Sequence, residues 1–86
     1  MSESIPIGLK RAAVTLAEEL DYSRAAEKLG ISTRELRKEV FALEMQLCLR
    51  IFEPRQKKVE LTDDGRFLIK VFREAIAAHV PRSPKT

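Results

Sequence analysis

Nine of the chain's basic residues fall between positions 24 and 58: Arg24, Lys28, Arg34, Arg37, Lys38, Arg50, Arg55, Lys57 and Lys58. The same stretch carries five acidic residues, Glu27, Glu35, Glu39, Glu44 and Glu53, whereas residues 1–23 carry two basic against four acidic. The formal net charge is only +3, so the distribution says more than the total. Clustered Lys and Arg release condensed counterions from a polyanion, a term that favours phosphate backbones and fades with salt. The competing reading is a merely solvated charged face. Other chemistry lacks candidates. Cys48 is the single cysteine, cannot form an internal disulfide, and reads as a small buried apolar group. His79, the single histidine, has no Cys, His or carboxylate cluster at ligand spacing beside it and reads as a solvated or interface residue; no metal and no cofactor is expected. No nucleophile, base and orienting group stand in a usable pattern, and no glycine-rich phosphate loop is present. No catalytic residues follow from this sequence, and it does not read as an enzyme.

A basic surface recognises a shaped partner only when rigid elements hold it. At 86 residues the chain suits one domain rather than two. The first element spans about Pro6 to Leu20, where Leu9, Ala12, Ala13, Leu16, Ala17 and Leu20 recur at helical steps. Pro6 suits a first helical turn, where its missing N–H is not needed. Asp21 caps a short second helix, Tyr22 to Leu29, packed through Ala25, Ala26 and Leu29 and ended by Gly30. Ser32 with Glu35 forms a capping box that opens a third helix, continuing to about Leu47. Leu36, Val40, Leu43 and Leu47 line its buried stripe, and Thr33, Arg34, Arg37, Lys38 and Phe41 its opposite surface. Ile51-Phe52 and Val59-Leu61 flank a basic turn and read as a small hairpin, with Pro54 at a strand end or an edge. Thr62, backed by Asp63 and Asp64, caps a fourth helix that runs to about His79. That helix is apolar on more than one face. Its surplus, Leu68, Phe72, Ala75, Ile76 and His79, calls for a second copy of the chain. Residues 81–86 read as a disordered tail.

Helix, glycine turn, helix, basic hairpin and helix, in that order, make a mainly α winged helix-turn-helix: a three-helix core, a short β-hairpin wing and a C-terminal dimerisation helix. The two alanines let the second and third helices cross closely, and Ile31 and Leu36 anchor the third from beneath. From about Leu9 to Ile76 the sequence resembles the N-terminal DNA-binding domain of LysR-type transcriptional regulators. The segments that carry the resemblance are Tyr22-Ser23-Arg24-Ala25-Ala26-Glu27-Lys28-Leu29-Gly30-Ile31-Ser32, Ala42-Leu43-Glu44, Ile51-Phe52-Glu53 and Leu61-Thr62-Asp63-Asp64-Gly65.

The resemblance implies a dimeric regulator that binds double-stranded DNA in a sequence-specific manner. The helix of about 32–47 would enter the major groove and the wing, 54–58, would lie on the backbone. Thr33, Arg34, Arg37 and Lys38 fall where such proteins contact bases. Ser23, Arg24, Ser32, Arg55, Lys57 and Lys58 fall where phosphate contacts are expected. An Arg early in a groove-inserted helix can donate two hydrogen bonds to one guanine, worth about 1–3 kcal/mol of discrimination. The chain also departs from the family pattern. Thr33-Arg34-Glu35 replaces a usual Gln-Pro-Ala. Phe41 stands at a usually basic position and is expected to pack against protein rather than touch a thymine methyl. Cys48 replaces a helix-ending glycine, so the third helix either runs on or ends in a strained residue, and Pro54 replaces a wing arginine. Phe41, Glu35, Glu39 and Pro54 motivate an alternative of another class, a winged-helix protein-interaction module that has lost DNA binding.

The family's effector-binding domain is absent, so no small-molecule effector is expected to act on this chain. The native-looking start and the short Pro-containing tail favour a complete small protein over a fragment. With no signal peptide and no apolar run approaching the roughly 20 residues of a membrane span, the expected location is the cytoplasm, at the nucleoid, with no membrane partner.

Overall fold

The computed structural model describes residues 5–56 and 58–79, and the order of elements is α1 (Ile7–Glu19), α2 (Tyr22–Leu29), α3 (Thr33–Leu47), β1 (Phe52–Arg55), β2 (Lys58–Leu61) and α4 (Asp63–His79). Lys57, the side chain of His79 and the predicted tail at 81–86 lie outside the described residues. Among those described, no helix is long and apolar enough to cross a membrane.

Each helix end carries a local reason. Pro6 stands just outside α1, and the expected last residue of that helix, Leu20, is instead its left-handed terminator (φ 55). Asp21 caps α2 by accepting hydrogen bonds at Oδ1 from the backbone N–H of Ser23 (2.9 Å) and of Arg24 (3.3 Å). Gly30 (φ 72) ends α2, and the N–H groups of Gly30 and Ile31 return to the carbonyls of Glu27 and Ala26. The capping box is formed in full. Glu35 N–H donates to Ser32 Oγ at 3.0 Å, and Ser32 N–H donates to Glu35 Oε1 at 3.2 Å.

The core gathers Ala12, Ala13 and Leu16 of α1, Ala25 and Ala26 of α2, and Leu36, Val40 and Leu43 of α3 with Ile51, Phe52, Ile69 and Phe72. Alanines at the crossing of α1, α2 and α3 permit close helix approach, and the leucines fill the remaining volume. The wing is an antiparallel pair in the register Phe52↔Leu61, Glu53↔Glu60, Pro54↔Val59 and Arg55↔Lys58. In this two-stranded sheet Pro54 sits on an edge, where its missing donor is harmless. Val59 N–H donates to the Leu20 carbonyl at 3.3 Å, which fastens the wing to the end of α1.

Three expectations are corrected. Cys48 is exposed rather than buried, because α3 stops there in a left-handed turn (φ 57) that faces its side chain outward. Phe41 does not pack against its own chain; it is 63% exposed, since the buried stripe of α3 lies on the opposite side. Phe72 is no surplus residue of α4, being 3% exposed and part of the core with Ile69. The apolar residues that α4 does expose are Phe67 (67%) and Val71 (39%), with Leu68, Ala75 and Ile76 half-buried.

Candidate nucleic-acid interface

The capping box leaves the amino end of α3 uncovered, and the residues along it divide into two rows. Arg34 and Lys38, four apart, point away from the buried stripe and are exposed. Thr33 and Arg37 lie on the flank that turns toward α2 and the wing. Arg37 places its guanidinium 4.3 Å from the centroid of the Tyr22 ring, a cation–π contact that limits its freedom. The four predicted base-contacting residues therefore share one helix but not one direction. Among the described residues, Arg34, Arg37 and Lys38 form no salt bridge, so their charges are uncommitted.

Between α3 and the wing lies an open cleft of about 450 Å³ lined by Tyr22, Arg37, Glu44, Arg50, Phe52, Glu53, Pro54, Gln56, Lys58 and Val59. Burial first, and then the Glu44 carboxylate, push the Tyr22 phenol above its ordinary value near 10.0, while Arg37 and Arg50 pull the other way. Tyr22 is thus a neutral platform on which Arg37 rests. Sequence reasoning assigned no role to it.

Glu44 was also missed as a working residue. Its Oε2 accepts hydrogen bonds from the N–H of Ile51 (2.8 Å) and of Phe52 (3.0 Å), which orients the start of the wing relative to α3. The available signal was a carboxylate inside a leucine stripe, just before a segment whose first N–H groups have no strand partner. Thr62 completes the frame. Its Oγ1 donates to the Arg50 carbonyl (2.6 Å) and accepts from Gly65 N–H (2.8 Å).

Of the predicted phosphate-contacting residues that are described, Lys58 lines this cleft. Ser23 and Arg24 stand exposed in the first turn of α2, and Ser32 stands exposed at the start of α3 with its oxygen engaged in the capping box. Lys58 is exposed on β2, whereas Arg55 reaches Glu60 at 3.4 Å, an exposed pair worth about 0–1 kcal/mol that a phosphate can readily replace. Lys28 is tied to Glu19 at 2.8 Å. Arg37 on α3 and Lys58 on the wing thus border the cleft from its two sides; of its two lining carboxylates, Glu44 is occupied by backbone N–H groups and Glu53 is exposed.

The family model for bacterial regulatory helix-turn-helix proteins of the lysR family matches residues 9–66. The HTH-type transcriptional regulator IlvR of Caulobacter vibrioides is 40% identical over 68 residues, which covers 79% of this chain and 23% of that protein. The chain thus spans about a quarter of the length of that curated relative. The oxidized form of Corynebacterium glutamicum OxyR superposes with a TM-score of 0.85 at 30% identity, over 90% of this chain and 24% of that one. A crystal structure of a CbnR_DBD–DNA complex superposes with a TM-score of 0.83 over 86% of this chain and 85% of that one; at 22% identity it shows a shared fold.

Proposed function

This chain belongs to the lysR family of bacterial regulatory helix-turn-helix proteins, and from that membership we propose that it is the DNA-binding unit of a transcription regulator rather than an enzyme. It engages double-stranded DNA in the bacterial cytoplasm. α3 enters the major groove with Arg34 and Lys38 toward base edges. Thr33 and Arg37 work from the flank, where the stacking of Arg37 on Tyr22 favours one fixed direction. Ser23, Arg24, Ser32, Arg55, Lys57 and Lys58 track the phosphates. The observation that carries this reading is the capped, exposed amino end of α3, whose Arg34, Arg37 and Lys38 lack salt-bridge partners among the described residues.

A homodimer through α4 is part of the proposal, with its centre moved from Phe72 to Phe67 and Val71. Two exposed apolar side chains one turn apart on a single helix favour a covered face. Leu68 and Ala75 flank that centre, whereas Ile76, nine residues on from Phe67, falls on the opposite side of α4. Two copies would present two α3 helices to half-sites one or more helical turns of DNA apart.

Selection from a random duplex pool at physiological salt tests the reading. The chain should enrich a pseudo-palindromic site. Arg34→Ala should relax preference at one position, while Lys58→Ala should weaken every duplex alike and lower the salt slope by about 1. Unchanged enrichment with Arg34→Ala would count against direct readout. A lack of any salt-sensitive binding, with a co-purifying protein, would favour the interaction-module reading. Sedimentation of Phe67→Glu as a monomer beside a dimeric parent is the expected result for the interface.

A further inference from the structure

The outward row that begins with Arg34 and Lys38 continues. Phe41 and Met45 extend it at three- and four-residue steps, and they are 63% and 62% exposed. A ring and a thioether in succession on one helix face leave apolar area in water that the fold does not need, because Leu36, Val40 and Leu43 already form the buried stripe. Arg34, Arg37, Lys38 and Phe41 stand at i, i+3, i+4 and i+7, the spacing at which a helix in the major groove presents side chains to successive base pairs. The edges of the bases in that groove carry hydrogen-bonding atoms and a single kind of apolar group, the 5-methyl of thymine. Phe41 has no donor or acceptor. Against the edges of guanine, cytosine or adenine it would strip water from polar atoms and give nothing back, a loss that penalises those bases.

The surroundings favour a polyanion over an apolar protein partner. Phe41 and Met45 line an open groove with Glu44, Cys48, Leu49 and Arg50. Arg34, Arg37 and Lys38 precede that groove along α3, and Arg50 borders its far end. Glu44, the only carboxylate in the lining, is held by two backbone N–H groups.

We infer that Phe41 is a specificity-determining residue that packs its ring on the 5-methyl group of a thymine, at the base step beyond those reached by Arg34 and Lys38. The inference rests on the reading of α3 as the groove-inserted helix. The test uses duplexes selected by the full chain, in which each thymine is replaced in turn by deoxyuridine, a change that removes only the methyl. One replacement per half-site should weaken binding roughly fourfold, the effect of one buried methyl. Phe41→Ala should bind the methylated and unmethylated duplexes equally, and Phe41→Leu should keep part of the difference. Because the ring is exposed, the helical circular dichroism of both variants should match the parent. Selective binding in which every methyl removal is neutral, or in which Phe41→Ala stays equally sensitive, overturns the inference and leaves DNA binding standing. Failure to enrich any duplex overturns the groove reading itself, and this inference with it.

Discussion

α2 and α3 end in the same backbone conformation, with Gly30 at φ 72 in one case and Cys48 at φ 57 in the other. Glycine takes the left-handed region freely, so the turn that aims α3 is written into its own few residues: Asp21 behind, Gly30 at the corner, Ser32 and Glu35 ahead. Cysteine takes it at a cost of roughly 1–2 kcal/mol. What holds the second corner comes from elsewhere in the chain. Glu44 secures Ile51 and Phe52 from the preceding helix, Thr62 secures Arg50 from the following one, and Gly65 lies against the Ile51 carbonyl. The turn between α2 and α3 is therefore local and unstrained, and the wing junction is imposed by contacts across sequence. Where two corners share a shape, it is the second kind that tolerates a residue its own backbone disfavours.

The sharpest way to break the wing junction is Gly65→Ala. A Cβ there runs into the Ile51 backbone, which cannot swing aside while Glu44 and Thr62 hold it. A loss of about 3 kcal/mol is expected, at the upper end for forcing volume into a closed site, and a fall in Tm of roughly 12–24 °C. A thermal scan within a few degrees of the parent would show that the junction yields. Next comes Glu44→Ala, expected to cost about 2 kcal/mol because two N–H groups lose a charged acceptor. Its counterpart at the other corner, Ser32→Ala, should cost about 1 kcal/mol. Denaturant midpoints compare the two, and equal costs would erase the distinction between the corners. Smaller again is a reciprocal pair. Cys48→Gly should stabilise by about 1 kcal/mol and Gly30→Ala should destabilise by a similar amount, a backbone effect alone since nothing lies within 4 Å of the added Cβ at Gly30.

The same contrast governs what could be read in advance. The elements set by neighbouring residues were legible: Asp21 and Ser32 as caps, Gly30 as the turn, Leu36, Val40 and Leu43 as the buried stripe, and the hairpin between two apolar pairs. The features set by distant partners were not. Cys48 has the composition of a buried residue, and only the long-range hold on the wing shows why α3 must stop there and turn it outward. Periodicity says that α4 has too many apolar residues without saying which ones the core takes; it took Phe72 and Ile69 and left Phe67 and Val71 outside. The basic residues of α3 were legible as a group. Their division into an outward row and a flank depends on Tyr22, which the sequence presents as an ordinary residue of a short helix.

Tyr22 offers the finest measurement, since it stands where the two regions meet and is the only tyrosine in a chain without tryptophan. Phenolate absorbance therefore reports it alone. Burial and Glu44 raise its pKa in the fold. A raised value means that the folded chain favours the neutral phenol. The stability this contributes is intact below the ordinary value near 10.0 and is lost as the pH climbs through the raised one, so binding near neutral pH should be indifferent to it. In the parent, the midpoint should lie above that of the unfolded chain. Arg37→Ala should move it further up by removing a nearby positive charge, and Glu44→Gln should move it down by removing a negative one. Opposite shifts from one residue of the α3 flank and one of the wing clamp would place both charges on the same ring. Shifts of the same sign, or none from Arg37→Ala, would mean that the guanidinium does not rest there and that Arg37 is free to swing toward the outward row.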